Sequence, residues 1–326
     1  SDLPTVITVH NAEYHGNHEL SKRFLLPHFD EHQVGLLEWN GELNSLACGL
    51  KCAWKITTVS PSYMNELQEF SNGLEFLFSM ESGKSLGILN GIDPSVWDPT
   101  NDQYLDTPYG YSSKKDILNV EQGKRHYKHI LCGEYELDPS RPTFAFIGRL
   151  VHQKGADLLA SVIRGFALEQ AKVNFILLGT GEVQLQHEFA TMDRELVGFF
   201  DAKLSYNEAL AHRMYAGADF MIMPSRVEPC GLNQFYSMRY GTIPIVRAIG
   251  GLKDSVPDID QVNGLGIQFD HFSYYDLYHA IQRAIELYAD EQRFRKLRKL
   301  IMQEDNSWSR AATNYQQVYE ELNSYR

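Results

Sequence analysis

Short continuous apolar runs alternate with segments of helical spacing along the second half of the chain. Runs of this kind are typical of strands that are covered on both faces of a parallel sheet. The predicted strands span residues 143–148, 173–179, 196–200, 219–224 and 243–246. The predicted helices lie near 158–166, 182–191, 207–217 and 232–241, with a short one from Gly251. This alternation predicts an α/β fold with a doubly wound parallel sheet.

The first half of the chain shows the same pattern less clearly. Strands are predicted at 5–10, 56–60 and 86–90, and a helix is predicted around 121–131. A length of 326 residues suggests two domains. Pro139 and Pro142 indicate a boundary between them, so we expect domains over 1–138 and 139–306. The region 273–326 is predicted to be largely helical.

Composition and net charge exclude several classes of function. Hydrophobic residues make up 43% and charged residues 22%, which is ordinary for a soluble globular protein. The net charge of −12 argues against binding nucleic acid or an anionic membrane through bulk charge, because both need a basic face. The four cysteines form no disulfide pattern, and no apolar run approaches the roughly 20 residues of a membrane span. The irregular spacing of His10, His15 and His18 predicts no metal site.

Polar and glycine residues follow several of the predicted strands. In doubly wound sheets ligands bind beyond the carboxyl ends of the strands, so these residues predict an active site there. They are His10, Asn11, Arg149, Lys154, Gly179, Gly181 and Glu228.

Arg149 and Lys154 lie in one loop before a helix. They can converge on a dianion such as a diphosphate leaving group, although a solvated basic loop fits equally well. Gly179 and Gly181 allow either a close approach of the backbone to a ligand or a tight turn.

Glu228 belongs to the segment PSRVEPCGLNQ, which begins at residue 224 between a strand and a helix. Its carboxylate can bind sugar hydroxyls or stabilise positive charge at an anomeric carbon. The following backbone N–H groups, from Cys230 to Leu232, can face an anion or a hydroxyl. The alternative is a carboxylate that only satisfies a helix N-terminus.

Several ordered motifs lie at residues 9–16, 57–63, 87–99, 146–159, 177–182, 223–234, 240–256 and 307–319. Together they resemble the bacterial glycogen synthases and plant starch synthases. The resemblance implies two Rossmann-like domains of the GT-B type. It also implies transfer of glucose from ADP-glucose or UDP-glucose to the non-reducing end of an α-1,4-glucan, with retention of configuration. The C-terminal helix, 307–326, is then expected to pack back on the first domain.

The resemblance also implies roles for individual residues. Those implied in catalysis are His10, Arg149, Lys154 and Glu228. Those implied in substrate binding are Asn11, Gly179, Gly181, Tyr206, Cys230, Gly231, Leu232 and Asn233. No cofactor or metal is expected beside the nucleotide sugar and the glucan. A bacterial cytoplasm is the expected location, or a plastid in a plant or alga.

The chain departs from the family pattern at two places. Asn233 stands where the family usually has threonine. No Lys-x-Gly-Gly-Leu loop occurs in the first domain, so we expect an N-terminally truncated first domain, incomplete activity and possible association into oligomers. Two alternatives stay open. One is another retaining glycosyltransferase, such as a sucrose- or trehalose-type synthase, and the other is a non-catalytic glucan-binding remnant.

Overall fold

The structure is a computed structural model that describes residues 3–27, 29–111 and 116–324. The chain divides into two compact units. The first unit comprises Ser1–Asn90 and Trp308–Arg326, and the second comprises Gly91–Ser307.

Two small sheets form the first unit. Its strands are β1 (Val6–Val9), β2 (Asn17–Glu19), β3 (Glu38–Trp39), β4 (Glu42–Asn44), β5 (Lys55–Thr58) and β6 (Ser85–Gly87). Its helices include α1 (Val34–Leu37), α2 (Ser45–Cys52), α3 (Pro61–Glu66) and α4 (Glu75–Met80). The order β1-β5-β6 is parallel throughout, as the three predicted strands require. The antiparallel sheet β2-β4-β3 was not predicted, because β2 is wholly exposed and polar and gives no apolar pattern.

A six-stranded parallel sheet forms the centre of the second unit. Its strands are β7 (Thr143–Ile147), β8 (Asn174–Leu178), β9 (Phe200–Lys203), β10 (Phe220–Met223), β11 (Ile243–Arg247) and β12 (Ile267–Phe269). The order β9-β8-β7-β10-β11-β12 is the 3-2-1-4-5-6 order of the Rossmann fold. The doubly wound parallel sheet predicted for this part of the chain is therefore present.

Helices cover the sheet of the second unit. They are α5 (Val120–Glu134), α6 (Ala156–Leu168), α7 (Val183–Glu195), α8 (Glu208–Gly217), α9 (Asn233–Arg239), α10 (Gly250–Ser255), α11 (Tyr274–Ala289) and α12 (Glu291–Gln303). Their apolar faces and the strands bury rings such as Phe144, Phe175 and Phe220, which stack on one another across neighbouring strands. This packing fixes the strand ends that carry the predicted site residues.

One predicted strand was placed too early. The apolar run 196–200 forms a turn in which the N–H groups of Phe199 and Phe200 both donate to the carbonyl of Leu196. Strand β9 begins only at Phe200 and includes the polar residues Asp201 and Lys203. An edge strand pairs on one side only, so its sequence is less apolar than that of a central strand.

The boundary between the units also differs from the prediction at 138/139. Residues 91–138 group with the second unit because α5 packs on α8 and buries Tyr127 and Leu131 in the same core as strand β10. The hydroxyl of Tyr109 donates to the carbonyl of Tyr240 at 2.8 Å. Pro139 and Pro142 therefore flank a tight turn into β7 and do not mark the division between units.

The last helix, α13 (Trp308–Asn323), belongs to the first unit. Val318 and Leu322 pack against Ile88, and Lys55 forms an ion pair with Glu321 at 2.8 Å. The described part of the chain contains no helix that is both long and apolar enough to cross a membrane.

Candidate active site

The predicted site residues of the second unit gather where its strand order reverses. Strands β7 and β10 are neighbours at this switch point, and one loop leaves the carboxyl end of each. The loop after β7 carries Arg149 and Lys154, and the loop after β10 carries Glu228. A crevice opens between such diverging loops in doubly wound sheets.

Glu228 and Lys154 form an ion pair at the centre of this arrangement. Lys154 Nζ lies 2.5 Å from Glu228 Oε2, and the Ser225 hydroxyl donates to the same oxygen at 2.9 Å. Glu228 is 5% exposed, so it is no ordinary carboxylate at a solvated helix end. Its second oxygen, Oε1, accepts no hydrogen bond within the described ranges. That oxygen can therefore bind a hydroxyl of a ligand.

A second ion pair, which was not predicted, holds the two loops together. Both Nη atoms of Arg226 donate to the carboxylate of Asp157 at 2.7 Å. The hydrogen bonds from Arg226 hold the pKa of Asp157 below its usual value, and the pKa of Arg226 is raised for the same reason. The N–H of Arg226 also donates to the carbonyl of Gln153 at 2.8 Å. Its position two residues before Glu228 was the only signal for this role in the sequence.

Gly155 allows the two loops to touch. It has φ 72, and a Cβ at this position would lie 2.0 Å from the carbonyl oxygen of Pro224. Glycine alone avoids both the strained backbone and the clash. The close approach sets the position of Lys154 relative to Glu228.

Arg149 lies on the surface, at the edge of a pocket of about 310 Å³. Its guanidinium donates to Gln153 Oε1 at 3.3 Å. The pocket is lined by Trp97, Ile147, Gly148, Arg149, Leu178, Gly179, Thr180, Ser205, Tyr206, Asn207, Glu208, Ala211, Tyr215, Asn233 and Tyr236. Of the predicted residues in this unit, Arg149, Gly179, Tyr206 and Asn233 line it, whereas Lys154, Gly181, Glu228, Cys230, Gly231 and Leu232 do not. Tyr206 is 84% exposed and free to stack on a ligand.

Gly179 and Gly181 bring the loop after β8 close to the loop after β7. A Cβ at Gly179 would lie 2.0 Å from the carbonyl oxygen of Gly148, and one at Gly181 would lie 2.3 Å from that of Leu150. The structure therefore shows close packing of backbone on backbone, a use that was not predicted, and the two predicted uses stay predictions. Gly179 additionally lines the pocket.

The segment before α9 presents backbone donors. The N–H groups of Gly231 and Leu232 have no hydrogen-bond partner among the residues that the structure describes. The amide of Gln234 fixes the segment by donating to the carbonyls of Cys230 and Gly231 at 3.0 and 3.1 Å. The predicted use of this backbone to bind a ligand is compatible with these contacts.

Asn233, which departs from the family pattern, makes a contact of its own. Its Nδ2 donates to the carbonyl of Ile147 at 2.6 Å and so ties α9 to the end of β7. Because a carbonyl accepts and does not donate, this bond fixes the orientation of the amide and leaves Oδ1 as the available acceptor at the pocket.

A stack of rings forms one wall of the pocket. Trp97 lies between Tyr236, at 3.7 Å between ring centroids, and His212, at 4.1 Å. His212 Nδ1 lies 2.7 Å from Asp102 Oδ2. Burial opposes the charge on Asp102, but hydrogen bonds with His212 and Tyr240 still hold its pKa below the usual value. Trp97 occurs in a motif of the resemblance, but nothing in its spacing indicated a place in the pocket.

His10 and Asn11 belong to the first unit and follow strand β1. His10 is exposed, and Asn11 Oδ1 accepts from the N–H of Glu13 at 2.9 Å, which closes a turn. Their predicted roles at the site stay predictions. Across the ranges that the structure covers, no three His, Cys, Asp or Glu side chains are grouped as a metal site.

Two family models and several curated proteins match this chain. Residues 1–80 match the family described as starch synthase catalytic domain, and residues 133–299 match glycosyl transferases group 1. The glycogen synthase of Flavobacterium johnsoniae is 46% identical over 98% of this chain and 66% of its own length. That of Streptococcus agalactiae is 35% identical over 99% of this chain and 68% of its own length.

Solved structures of glycosyltransferases resemble the fold of this chain. The catalytic domain of starch synthase IV from Arabidopsis thaliana, bound to ADP and acarbose, matches with a TM-score of 0.85. It is 34% identical and covers 98% of this chain and 66% of that one. A sucrose-phosphate synthase from Thermosynechococcus elongatus has a TM-score of 0.62 at 18% identity. This likeness shows only that the two proteins share a fold. The predicted resemblance and the predicted α/β, GT-B type of fold are confirmed. The chain spans 66% of the length of the first relatives it matches.

Proposed function

Because the chain belongs to the glycogen synthase family of glycosyltransferases, we propose that it transfers glucose from ADP-glucose to the non-reducing end of an α-1,4-glucan. The α configuration would be retained. One observation carries the proposal. The buried carboxylate of Glu228 is paired with Lys154 at the switch point of a Rossmann-like sheet, where such folds bind nucleotides.

The donor would lie along the carboxyl edge of the second sheet. Its base and ribose would occupy the pocket beside Tyr206, and its diphosphate would lie between Arg149 and Lys154. The free N–H groups of Gly231 and Leu232 would bind further oxygens. ADP is the preferred nucleotide of the proposal because the starch synthase structure that resembles this chain binds ADP.

The reaction would proceed through loss of the nucleotide. The bond between the anomeric carbon and the diphosphate oxygen breaks, and negative charge grows on the leaving group. Arg149 and Lys154 would stabilise that charge as fixed cations, so the proposal includes no cofactor. Glu228 would hold a hydroxyl of the glucose through Oε1 and oppose the positive charge that develops at the anomeric carbon.

The acceptor hydroxyl would then attack on the face that the diphosphate leaves. Its oxygen forms the new glycosidic bond, and its proton passes to the departing diphosphate. His10 and Asn11 of the first unit are proposed, from the resemblance, to contact the donor sugar and other parts of the substrates. Cytoplasmic location and self-association remain part of the proposal, and bacterial relatives support the former.

The proposal is tested by following both products of transfer. The purified chain is incubated with glycogen and either ADP-glucose or UDP-glucose, and nucleoside diphosphate release is measured beside incorporation of labelled glucose. We expect equal amounts of both products, faster reaction with ADP-glucose, and release of the label by an α-1,4-specific glucanase. Binding of ADP-glucose without any transfer would contradict the proposed activity and favour a nucleotide-binding or glucan-binding role.

A further inference from the structure

A second pocket of the second unit lies at the opposite edge of the sheet. It measures about 320 Å³ and lies between α5 and α12. Asp219, which directly precedes β10, lines it, as does Pro139, which lies shortly before β7. These residues mark the amino ends of the strands, whereas Glu228 and Arg149 follow the carboxyl ends. The pocket is therefore separate from the proposed donor site.

Cations dominate the lining of this pocket. They lie on one face of α5 and one face of α12, at spacings of three or four residues. The basic residues are Lys124, Arg125, Lys128, His129, Arg295 and Arg298, and the acidic ones are Glu121, Asp219 and Glu291. Without counting His129, five positive and three negative charges leave an excess of two positive charges. The excess stands out because the whole chain carries −12.

Each of the three carboxylates already has a cation as its partner. Lys128 Nζ lies 2.6 Å from Asp219 Oδ2, and Arg298 Nη1 lies 2.8 Å from Glu121 Oε2. Arg295 pairs with Glu291. The uncompensated positive charge therefore comes from the remaining cations, Lys124 and Arg125.

Lys124 is a buried cation that is bonded only to neutral groups. It is 3% exposed, and Nζ donates to the carbonyls of Tyr215 and Ala218 and to the hydroxyl of Thr242. Burial and the nearby charge of Arg298 lower its pKa. Burial is the larger of these two causes, and the contribution of Arg298 reflects the close spacing of cations around the pocket.

Arg125 and His129 supply donors at the mouth of the pocket. Both are exposed and neighbours on one face of α5, and neither has a partner among the residues with described positions. Tyr288 accepts a hydrogen bond from Lys128 at 2.9 Å, which leaves its own proton for a ligand. A phosphate dianion offers several acceptor oxygens to such a convergent set.

The pocket lining also has an apolar part. Phe294, Tyr288 and Pro139 offer surfaces on which a small organic group can pack. We propose that this pocket binds the dianionic phosphate group of a small phosphorylated metabolite, at a site distinct from that of the nucleotide sugar. Arg125 and His129 would contact the phosphate, and the ring side chains would contact the organic group.

The test uses glycerol 3-phosphate as the phosphate monoester and inorganic phosphate as the bare anion. Both are titrated calorimetrically into the Arg149→Gln variant, in which the proposed donor site has lost a cation. We expect binding of glycerol 3-phosphate that weakens at least tenfold when Arg125→Gln and His129→Gln are added. Equal binding of inorganic phosphate would identify the bare anion as the ligand, whereas weaker binding would identify the monoester.

Charge and composition are matched in the control. Arg194→Gln with His187→Gln removes the same residue types from exposed positions on α7, away from the pocket, and should leave binding unchanged. A second measurement needs no variant in the pocket. In chain labelled at histidine, glycerol 3-phosphate should shift the ring signals of His129 but not those of His187. Absence of binding, equal weakening in the control, or unshifted His129 signals would overturn the proposal.

Discussion

Lys154 Nζ lies 2.5 Å from Glu228 Oε2, and this ion pair joins the loops that follow β7 and β10. The side chain of Glu228 is 6% exposed and that of Lys154 is 26% exposed. Each charge is thus neutralised by the other. A bound diphosphate would attract Lys154, and the carboxylate of Glu228 could then bind the sugar instead. The ion pair can therefore couple donor binding to the contacts that Glu228 makes.

The pair predicts a stability coupling between its two residues. Lys154→Ala leaves a buried carboxylate without its cation and should lower the free energy of unfolding by about 1–3 kcal/mol. The double variant with Glu228→Ala should recover part of that loss, because the unpaired charge is then gone. A double-mutant cycle by urea unfolding measures the coupling. Additive effects of the two substitutions would show that the residues do not interact.

Asp157 predicts a dependence of stability on pH. Its pKa is lowered in the folded state, mainly by the hydrogen bonds from Arg226. A carboxyl with a lowered pKa stabilises the fold above its unfolded-state pKa, near 3.8, and this contribution disappears as pH falls through the folded-state value. Asp157→Asn should therefore be less stable than wild type at pH 7, and the difference should shrink below pH 4.

Urea unfolding between pH 7 and pH 3 measures that difference. Asp116→Asn is the matched control, because Asp116 is exposed and has no partner within the described residues. It should show no such pH dependence. If the free energies of unfolding of wild type and Asp157→Asn differ by a constant amount over this range, the assigned pairing with Arg226 is contradicted.

We expect a single added methyl group at Gly155 to lower both stability and ADP affinity. Gly155→Ala places a Cβ 2.0 Å from the Pro224 carbonyl oxygen in a left-handed backbone conformation. The free energy of unfolding should fall by at least about 2 kcal/mol, and ADP should bind more weakly because the Lys154 loop is displaced. Gly83→Ala, where a Cβ meets nothing within 4 Å, is the control. Equal stability of the two variants would refute the close contact.

Tyr206 predicts a loss of affinity without a loss of stability. Its side chain is 84% exposed and lines the pocket, so Tyr206→Ala should leave the unfolding midpoint unchanged. Loss of a stacking ring should weaken ADP binding by about tenfold. Tyr275→Ala removes a ring that is 80% exposed elsewhere and should bind ADP normally. Isothermal titration calorimetry of both variants decides whether the base lies against Tyr206.

Local sequence patterns predicted most of the second sheet and the residues at its carboxyl edge. Continuous apolar runs mark buried parallel strands, and the residues after them must lie at one edge. A clamp of Arg149 and Lys154 stays a prediction made from one loop, whereas the pairing of Lys154 with Glu228 depends on contact between loops more than 70 residues apart. Periodicity carries no information about such contacts.

Three other features were missed for related reasons. Arg226 and Asp157 are ordinary charged residues until the fold brings them together. The prolines near residue 140 have the composition of a linker, although α5 is anchored to the second unit by buried side chains such as Tyr127. The edge strand β9 was misplaced because the apolar run before it forms a turn.

The central claim is that Glu228 acts in transfer and does not merely hold the loop. Glu228→Gln keeps the shape of the side chain and removes its charge, so the variant should bind ADP-glucose within about threefold of wild type. Its rate of glucose transfer to glycogen should fall at least about 100-fold. The measurement is single-turnover transfer from saturating ADP-glucose beside calorimetric affinity. Transfer at the wild-type rate, with affinity preserved, would contradict the account.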